Sequence, residues 1–304
     1  MTRVLVVEGN TPEVLAAKAE AGGLAPAEQY AAALRRFAPG LEVVIARPFC
    51  APADVLIELE GIDGVALTGS GVAWAADAPQ ARPHRRLVER VFAAGIPVLG
   101  SCWGLQVGAV ILGGAVGASP LGIEVPAARA VTLTAAGRAH ALHADRPAVF
   151  DVPCIHRDEV TRAPSGAVIT AANDHSAIQA MVYEHGGVRL WGVQYHPEHG
   201  ADTALGYLLA RGAEGITGLA RPLGETDLHA LHADLGDAAG QAALARADRR
   251  GLGAEVFCPD RRGAELRAWL RSIVALRGDL PEIVDAPPPP RAVAVAMAVA
   301  SAPR

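Results

Sequence analysis

The chain has 304 residues, 51% of them hydrophobic and 19% charged, enough apolar material for one large domain with an extension or for two modest ones, and too much for a disordered chain. A net charge of -5 with acidic and basic residues interspersed offers no basic stripe or aromatic platform for nucleic acid, and aromatics at 4% leave the core to Ala, Val and Leu. The four cysteines, Cys50, Cys102, Cys154 and Cys258, form no C-x-x-C pair, so neither a disulfide framework nor a zinc site is expected, and no metal or organic cofactor is assigned.

Thr2–Val7 and Leu41–Ala46 are short β-branched runs with the helical stretch Ala27–Phe37 between them, a β-α-β unit that predicts a parallel sheet. No signal-peptide core accumulates before Glu8, so a cytoplasmic protein is expected. The pattern repeats with a strand at Gly64–Thr68, the loop Gly69-Ser70-Gly71, a helix over Pro83–Ala94 and a strand at Pro97–Leu99. Leu87, Val88, Val91 and Phe92 recur at helical spacing and mark the buried face of that helix.

After Gly113-Gly114 the texture changes. Arg129–Leu133, Ala148–Ile155, Val168–Ala172, Ile178–Tyr183 and Val188–Val193 read as strands separated by turns, which predicts an antiparallel or mixed half, with His185-Gly186-Gly187 as a hairpin connection. A helix over Asp202–Ala210 closes a first domain of residues 1–215. Residues 216–285 read as an Ala-rich helical extension with a helix at Gly263–Leu276, and residues 286–304 as a tail holding the extended Pro287–Pro290 tract. The apolar run Ala292–Ala300 is far shorter than the roughly 20 residues a membrane span needs.

The stretch Pro97-Val98-Leu99-Gly100-Ser101-Cys102-Trp103-Gly104-Leu105-Gln106 carries a strand into Gly-x-Cys-x-Gly and then into the helical Leu105–Leu112. Flanking glycines permit a sharp strand-to-helix turn that lifts the central residue above the sheet, where helix N–H groups could receive an oxyanion. Alone, the pattern also fits a small core cysteine in a tight connection. Cys50, Cys154 and Cys258 lack such glycines and are expected to pack structurally. A cysteine nucleophile needs a base and the base an orienter, and Val193-Gln194-Tyr195-His196-Pro197-Glu198 offers both at a strand end.

Gly100-x-Cys102-x-Gly104-x-Gln106 followed by His196-Pro197-Glu198 resembles the class I glutamine amidotransferases over about residues 1–215. The resemblance implies a doubly wound, flavodoxin-like α/β fold with a mixed, mostly parallel sheet, and a triad of Cys102, His196 and Glu198 that cleaves the side-chain amide of glutamine through a γ-glutamyl thioester. It implies that Gln106 contacts bound glutamine and that an oxyanion loop lies at Leu67–Gly71. There Gly69 and Ser70 join the Trp103 N–H as candidate donors, and Gly71 is a further substrate contact. Two departures bear on the site: the loop lacks the family's usual Gly-Gly-Pro, and Trp103 stands where Leu, Tyr or Phe is common. Cys154–Val160 is similar to a His-x-Asp segment of GMP synthetase amidotransferase domains, or is a solvated strand end. Asn173-Asp174-His175-Ser176 is an ordinary polar turn or lines the pocket through Ser176.

The expected reaction yields glutamate and ammonia. Residues 216–304 contain no phosphate loop of the kind a fused synthetase would need, so the ammonia acceptor would be a separate synthetase subunit; the alternative is a free-standing hydrolase of γ-glutamyl amides or peptides, and a binding protein without catalysis is a third reading.

Overall fold

The computed structural model describes residues 1–50, 57–210 and 225–277. The expectations for Gly215, the Pro287–Pro290 tract, Ala292–Ala300 and the 286–304 tail lie outside them.

Eleven strands are described: β1 (Arg3–Val7), β2 (Glu42–Ala46), β3 (Gly64–Leu67), β4 (Val98–Ser101), β5 (Ala115–Ala118), β6 (Ala127–Leu133), β7 (Val149–Pro153), β8 (Asp158–Arg162), β9 (Val168–Ala172), β10 (Ala180–His185) and β11 (Val188–Val193). The helices are α1 (Pro12–Glu20), α2 (Pro26–Phe37), α3 (Arg82–Ala93), α4 (Trp103–Ile111), α5 (Ala135–Ala139), α6 (Ala201–Ala210), α7 (Glu225–Asp234), α8 (Gly240–Arg250), α9 (Pro259–Arg262) and α10 (Ala264–Arg277). None is long and apolar enough to cross a membrane among the described residues.

Nine strands form one sheet in the order β2-β1-β3-β4-β11-β10-β9-β6-β7, and β5 pairs with β8 in a small second sheet. From β2 to β11 the neighbours run parallel, and from β11 to β7 they run antiparallel, which bears out the two textures read along the chain. The hairpin β10–β11 turns on Gly186 and Gly187 at φ 61° and 82°, the left-handed pair a two-residue loop of this hand requires.

Alternate residues of β1 serve opposite faces. Val4 and Val6 join Tyr30, Leu34 and Phe37 of α2, while Leu5 and Val7 join Leu87, Val88 and Val91 of α3 and Leu105 and Val107 of α4. The sheet is thus wound on both faces. The helix expected at Gly263–Leu276 is present as α10, and it contributes to the main core: Leu266, Trp269, Leu270 and Ile273 pack with the β1 and α2 side chains. The Trp269 ring lies so close to β3 that a Cβ on Gly64 would stand 2.8 Å from its Cζ2.

Sequence reading missed α1, β5 and β8. No residue of α1 is buried, so no apolar stripe marks it, and its one local signal is Pro12 at the first helical position after Thr11. Strand β5 is four small residues, none of them buried, and β8 is a mostly polar five, so neither leaves a strand-like apolar alternation. Cys154 and Cys258 are buried as expected, whereas Cys50 is exposed in a turn after β2, a correction to its assignment as a packing residue.

A buried polar knot fastens α10. Arg146 gives Nε and Nη2 to the two oxygens of Glu265 at 2.7 and 2.6 Å and caps the carbonyls of Arg261 and Arg262, while the Tyr195 hydroxyl donates to Glu265 at 2.8 Å. Burial alone would raise the Glu265 carboxyl, but the Arg146 guanidinium outweighs it and holds Glu265 well below the usual carboxylate range. Replacing Glu265 by Gln leaves a buried guanidinium without its counter-charge and is expected to cost about 3–5 kcal/mol at pH 7 by urea denaturation. Because the folded carboxyl is depressed, its contribution is complete above the ordinary 4.5 and fades as pH falls, so the gap between wild type and E265Q should narrow in acid.

Candidate active site

Strand β4 ends at Ser101, and α4 begins at Trp103, so Cys102 alone makes the turn, at φ 51° and ψ -111°. A side chain at Gly100 would place Cβ 2.8 Å from the Gly104 carbonyl carbon, and one at Gly104 would place it 2.6 Å from the Leu67 oxygen. Both glycines are needed for α4 to sit back on β4 and β3. The Cys102 N–H donates to Val193 O at 2.7 Å, and its nearly buried thiol points at Ile155 O at 3.6 Å.

His196 follows β11, the neighbour of β4, and is held through its own N–H to Pro153 O at 2.9 Å. Its Nδ1 meets Glu198 Oε1 at 2.6 Å, which leaves Nε2 buried and without a hydrogen-bond partner. Gly69 wedges against both residues: a Cβ there would lie 2.7 Å from His196 Cε1 and 3.5 Å from Cys102 Cβ. The three residues read from sequence as a triad therefore converge at the carboxyl ends of two adjacent parallel strands.

The loop Gly69-Ser70-Gly71 is pinned from behind by the turn after β1. Asn10 Oδ1 accepts the Gly71 N–H at 2.7 Å, Ser70 Oγ donates to Gly9 O at 2.6 Å, and Thr68 Oγ1 accepts the Gly9 N–H at 2.9 Å. Asn10 is itself fixed by Glu8, which accepts its side-chain amide at 2.6 Å and also takes the Ala27 N–H at the start of α2. The Gly71 N–H is thus committed to the scaffold, and Gly71 lines the site without offering that donor. The anchoring bonds do not use the N–H groups of Gly69 and Ser70, and the Trp103 N–H stands at the first position of α4, where the helix supplies no acceptor.

These residues open onto a cavity of about 940 Å³, lined also by Trp74, the segment Ile155–Asp158, residues of α1, His199 and Tyr207. Gln106 lines it, but its Nε2 is held by Asp158 O at 2.7 Å and Gln194 Oε1 at 3.2 Å, so only its carbonyl oxygen remains open to a ligand. Ser176 is placed elsewhere: its hydroxyl donates to Glu159, and its turn is tied by Asn173 to Glu124 behind the cavity wall. His156 and Asp158 are buried in that wall, unlike a solvated strand end. Trp103 turns its ring into a cluster with Trp74 and His84, at centroid distances of 5.8 and 4.7 Å, so the departure at this position shapes an aromatic wall.

Over residues 31–213 the chain matches the family described as glutamine amidotransferase class-I. The chain belongs to the class I glutamine amidotransferase family. It is 36% identical to a γ-glutamyl-L-1-hydroxyisopropylamide hydrolase from a Pseudomonas species over 209 residues, 68% of this chain and 70% of that protein. It is 40% identical to the glutamine-hydrolysing GMP synthase of Leifsonia xyli over 115 residues, 37% of this chain but only 22% of the synthase. A glutamine amidotransferase structure from Thermotoga maritima shares the fold with a TM-score of 0.53 at 17% identity, covering 90% of this chain and 97% of that one. A class I amidotransferase with an amide-hydrolase relative of this extent is a cysteine amidohydrolase.

The electrostatics of this class I site centre on His196. Burial works against its charge, but Glu198 and the Cys102 thiol facing the ring more than offset it, and His196 is pushed up to about 10. Glu198 moves the other way: burial would raise it, and the imidazolium holds it below its ordinary value. His199 stacks on His196 at 4.2 Å between centroids, and burial together with the neighbouring charge takes it down to about 3, so it stays neutral.

Two further clusters bring metal-ligating atoms together among the described residues, Glu124-Cys154-His156 and His156-Glu159-His175. Glu124 already accepts from His156, Asn173 and Gln179, so the first is closed as a hydrogen-bonded network. Sequence reasoning did not find Asn10, Trp74 or Tyr207, which lie far from the two motifs and carry no local signature, nor His199, which directly follows Glu198 but stands outside the His-Pro-Glu triplet.

Two outcomes follow for the site. An NMR titration should place the His196 midpoint near 10, and E198Q should move it down; since the folded value is raised, the stability it contributes is complete below 6.5 and is lost as pH rises through 10. Gly69→Ala forces a methyl against the His196 ring and is expected to lower kcat on the order of 10²-fold through a misplaced base, with the melting temperature changing little.

Proposed function

We propose that this chain hydrolyses γ-glutamyl amides, with Cys102 as nucleophile, His196 as general acid and base, and Glu198 holding the imidazole. The single observation that carries the reading is the 2.6 Å His196–Glu198 pair set beside a cysteine at a strained strand-to-helix turn, at the floor of a cavity that continues well past the reacting atoms. The catalytic machinery would lie in residues 1–215, with the helices between residues 225 and 277 as its structural support.

At neutral pH the raised His196 keeps its proton, and a cation beside sulfur stabilises negative charge there. The thiolate attacks the γ-carbonyl carbon, and the oxygen takes up charge against the N–H of Trp103 and those of Gly69 and Ser70. As the C–N bond breaks, His196 delivers its proton to the departing nitrogen, leaving a γ-glutamyl thioester and a free amine. Acylation removes the sulfur charge that helped hold the proton on His196, so the imidazole can then take a proton from water. Hydroxide adds to the thioester, the C–S bond breaks, and glutamate leaves.

The room beyond the triad and the 36% identity to a γ-glutamyl amide hydrolase support an amine larger than ammonia. A second reading is a glutaminase that passes ammonia to a separate synthetase subunit; the similarity to GMP synthase favours it, and it uses the same half-reaction. The isolated chain should turn over γ-glutamyl alkylamides unaided, faster than glutamine. Cys102→Ala should abolish this, and diazo-oxo-norleucine should label Cys102 stoichiometrically in mass spectrometry. Labelling of another thiol with Cys102 untouched would sink the nucleophile assignment, and glutamine turnover that rises only with a partner would favour the second reading.

A further inference from the structure

Lys18 is the only lysine in the chain. It projects from α1 into the active-site cavity, where its Nζ sits 3.1 Å from the centre of the Tyr207 ring. Tyr207 is in turn fixed by donating its hydroxyl to Gln29 at 2.9 Å. Among the described residues no carboxylate lies within ion-pair distance of Lys18: Glu8, which feels its charge, has its oxygens taken by Asn10 and Ala27, and Asp202 lines the cavity without reaching it. Arg157, which also lines the cavity, is occupied by Asp158 at 2.7 Å and by Ala73 O, and the His196 imidazolium by Glu198. An ammonium held in a partly buried site with an aromatic face but no acceptor is an unusual arrangement for a protein that needs nothing more there.

Its position relative to the reacting atoms gives it a side. His196 must face the departing nitrogen. Beyond its ring lie, in contact order, His199 stacked at 4.2 Å, Tyr207 at 5.9 Å from His199, and then Lys18. Gln106 and the Ile155–Asp158 segment are tied to each other and to the sulfur, Gln106 donating to Asp158 O at 2.7 Å and the Cys102 thiol facing Ile155 O at 3.6 Å, and neither is in this chain of contacts. On the near face of α1, Val14 packs beside Gly71 of the oxyanion loop, and Lys18 is the next residue on that face, about 6 Å further out along the helix.

Resting on the hydrolase reading above, we infer that Lys18 and Tyr207 form a leaving-group subsite, and that the preferred substrates are γ-glutamyl amides whose amine carries a carboxylate. The carboxylate completes the ammonium's hydrogen bonds and neutralises it, and Tyr207 packs against the chain between amide and carboxylate. Loss of the ammonium's hydration gives the site its appetite for an anion: burial lowers Lys18 to about 8, and a bound carboxylate restores the charged form.

The test compares γ-glutamyl amides of glycine, β-alanine and longer ω-amino acids with γ-glutamyl alkylamides of matched length, scored as the ratio of kcat/KM. Wild type should favour the best carboxylated member at least tenfold. Lys18→Met, which keeps the stem, should lower that ratio 10- to 100-fold, mainly through KM, and Lys18→Arg should recover part of it. A wild-type ratio near one, or a Lys18→Met variant that slows both series alike, overturns the subsite while leaving the hydrolase reading standing. Failure of every γ-glutamyl amide to turn over removes the hydrolase reading itself, and the subsite with it.

Discussion

A cysteine held at φ 51° between a buried strand and a helix occupies a conformation that costs about 1–3 kcal/mol for a residue with a side chain, and it persists only where its surroundings leave no alternative. Here the surroundings are backbone. Gly104 rests on the Leu67 carbonyl, Gly100 rests on Gly104, and the Cys102 N–H is claimed by Val193. Those contacts draw on three neighbouring parallel strands, so the position of Cys102 is a property of the sheet and cannot relax without separating α4 from it. The same closeness aims the first N–H of α4 at the space above the sulfur.

Charge is arranged around that fixed point. The Glu198 carboxylate keeps the imidazole oriented and protonated at neutral pH, and neutral His199 backs the ring without competing for the proton. The Gly69-Ser70-Gly71 loop is steadied by a relay that starts at buried Glu8, passes through Asn10 and ends on Gly71 and Ser70. Site rigidity thus comes from both ends of the parallel half of the sheet, with α1 and α6 forming the far rim where selectivity for the amine would reside.

The parts legible in the sequence were those in which one short segment carries both the geometry and the chemistry. Gly100-x-Cys102-x-Gly104 encodes a tight turn and the proposed nucleophile together, and His196-Pro197-Glu198 an imidazole and the carboxylate that orients it two residues away. Strand and helix positions followed from apolar spacing wherever an element is buried on one face, as for α3. What stayed hidden was set by partners distant in the chain. Asn10 and Tyr207 are ordinary polar residues until the fold brings them to the cavity. Ser176 sat in a plausible turn, but Glu159 and Asn173 direct it away. Helix α1 buries nothing, so periodicity could not reveal it; α10 was expected as a helix, but its place in the main core was not, because Glu265 and Arg267 are buried only where Arg146 and Asp145 meet them.

The docking of α10 has a further bearing on how the protein is made. Trp269 lies against Gly64 at the start of a central strand, and Glu265 closes on Arg146 and Tyr195, so contacts that finish the core join residues separated by 119 and 70 positions along the chain. During translation, β1, β3 and β4 emerge long before the helix that covers one of their faces. A chain lacking α10 would carry Cys102, His196 and Glu198 on a sheet with an open apolar side, a species prone to stick to its neighbours. The main core is therefore closed only by a segment made late in synthesis.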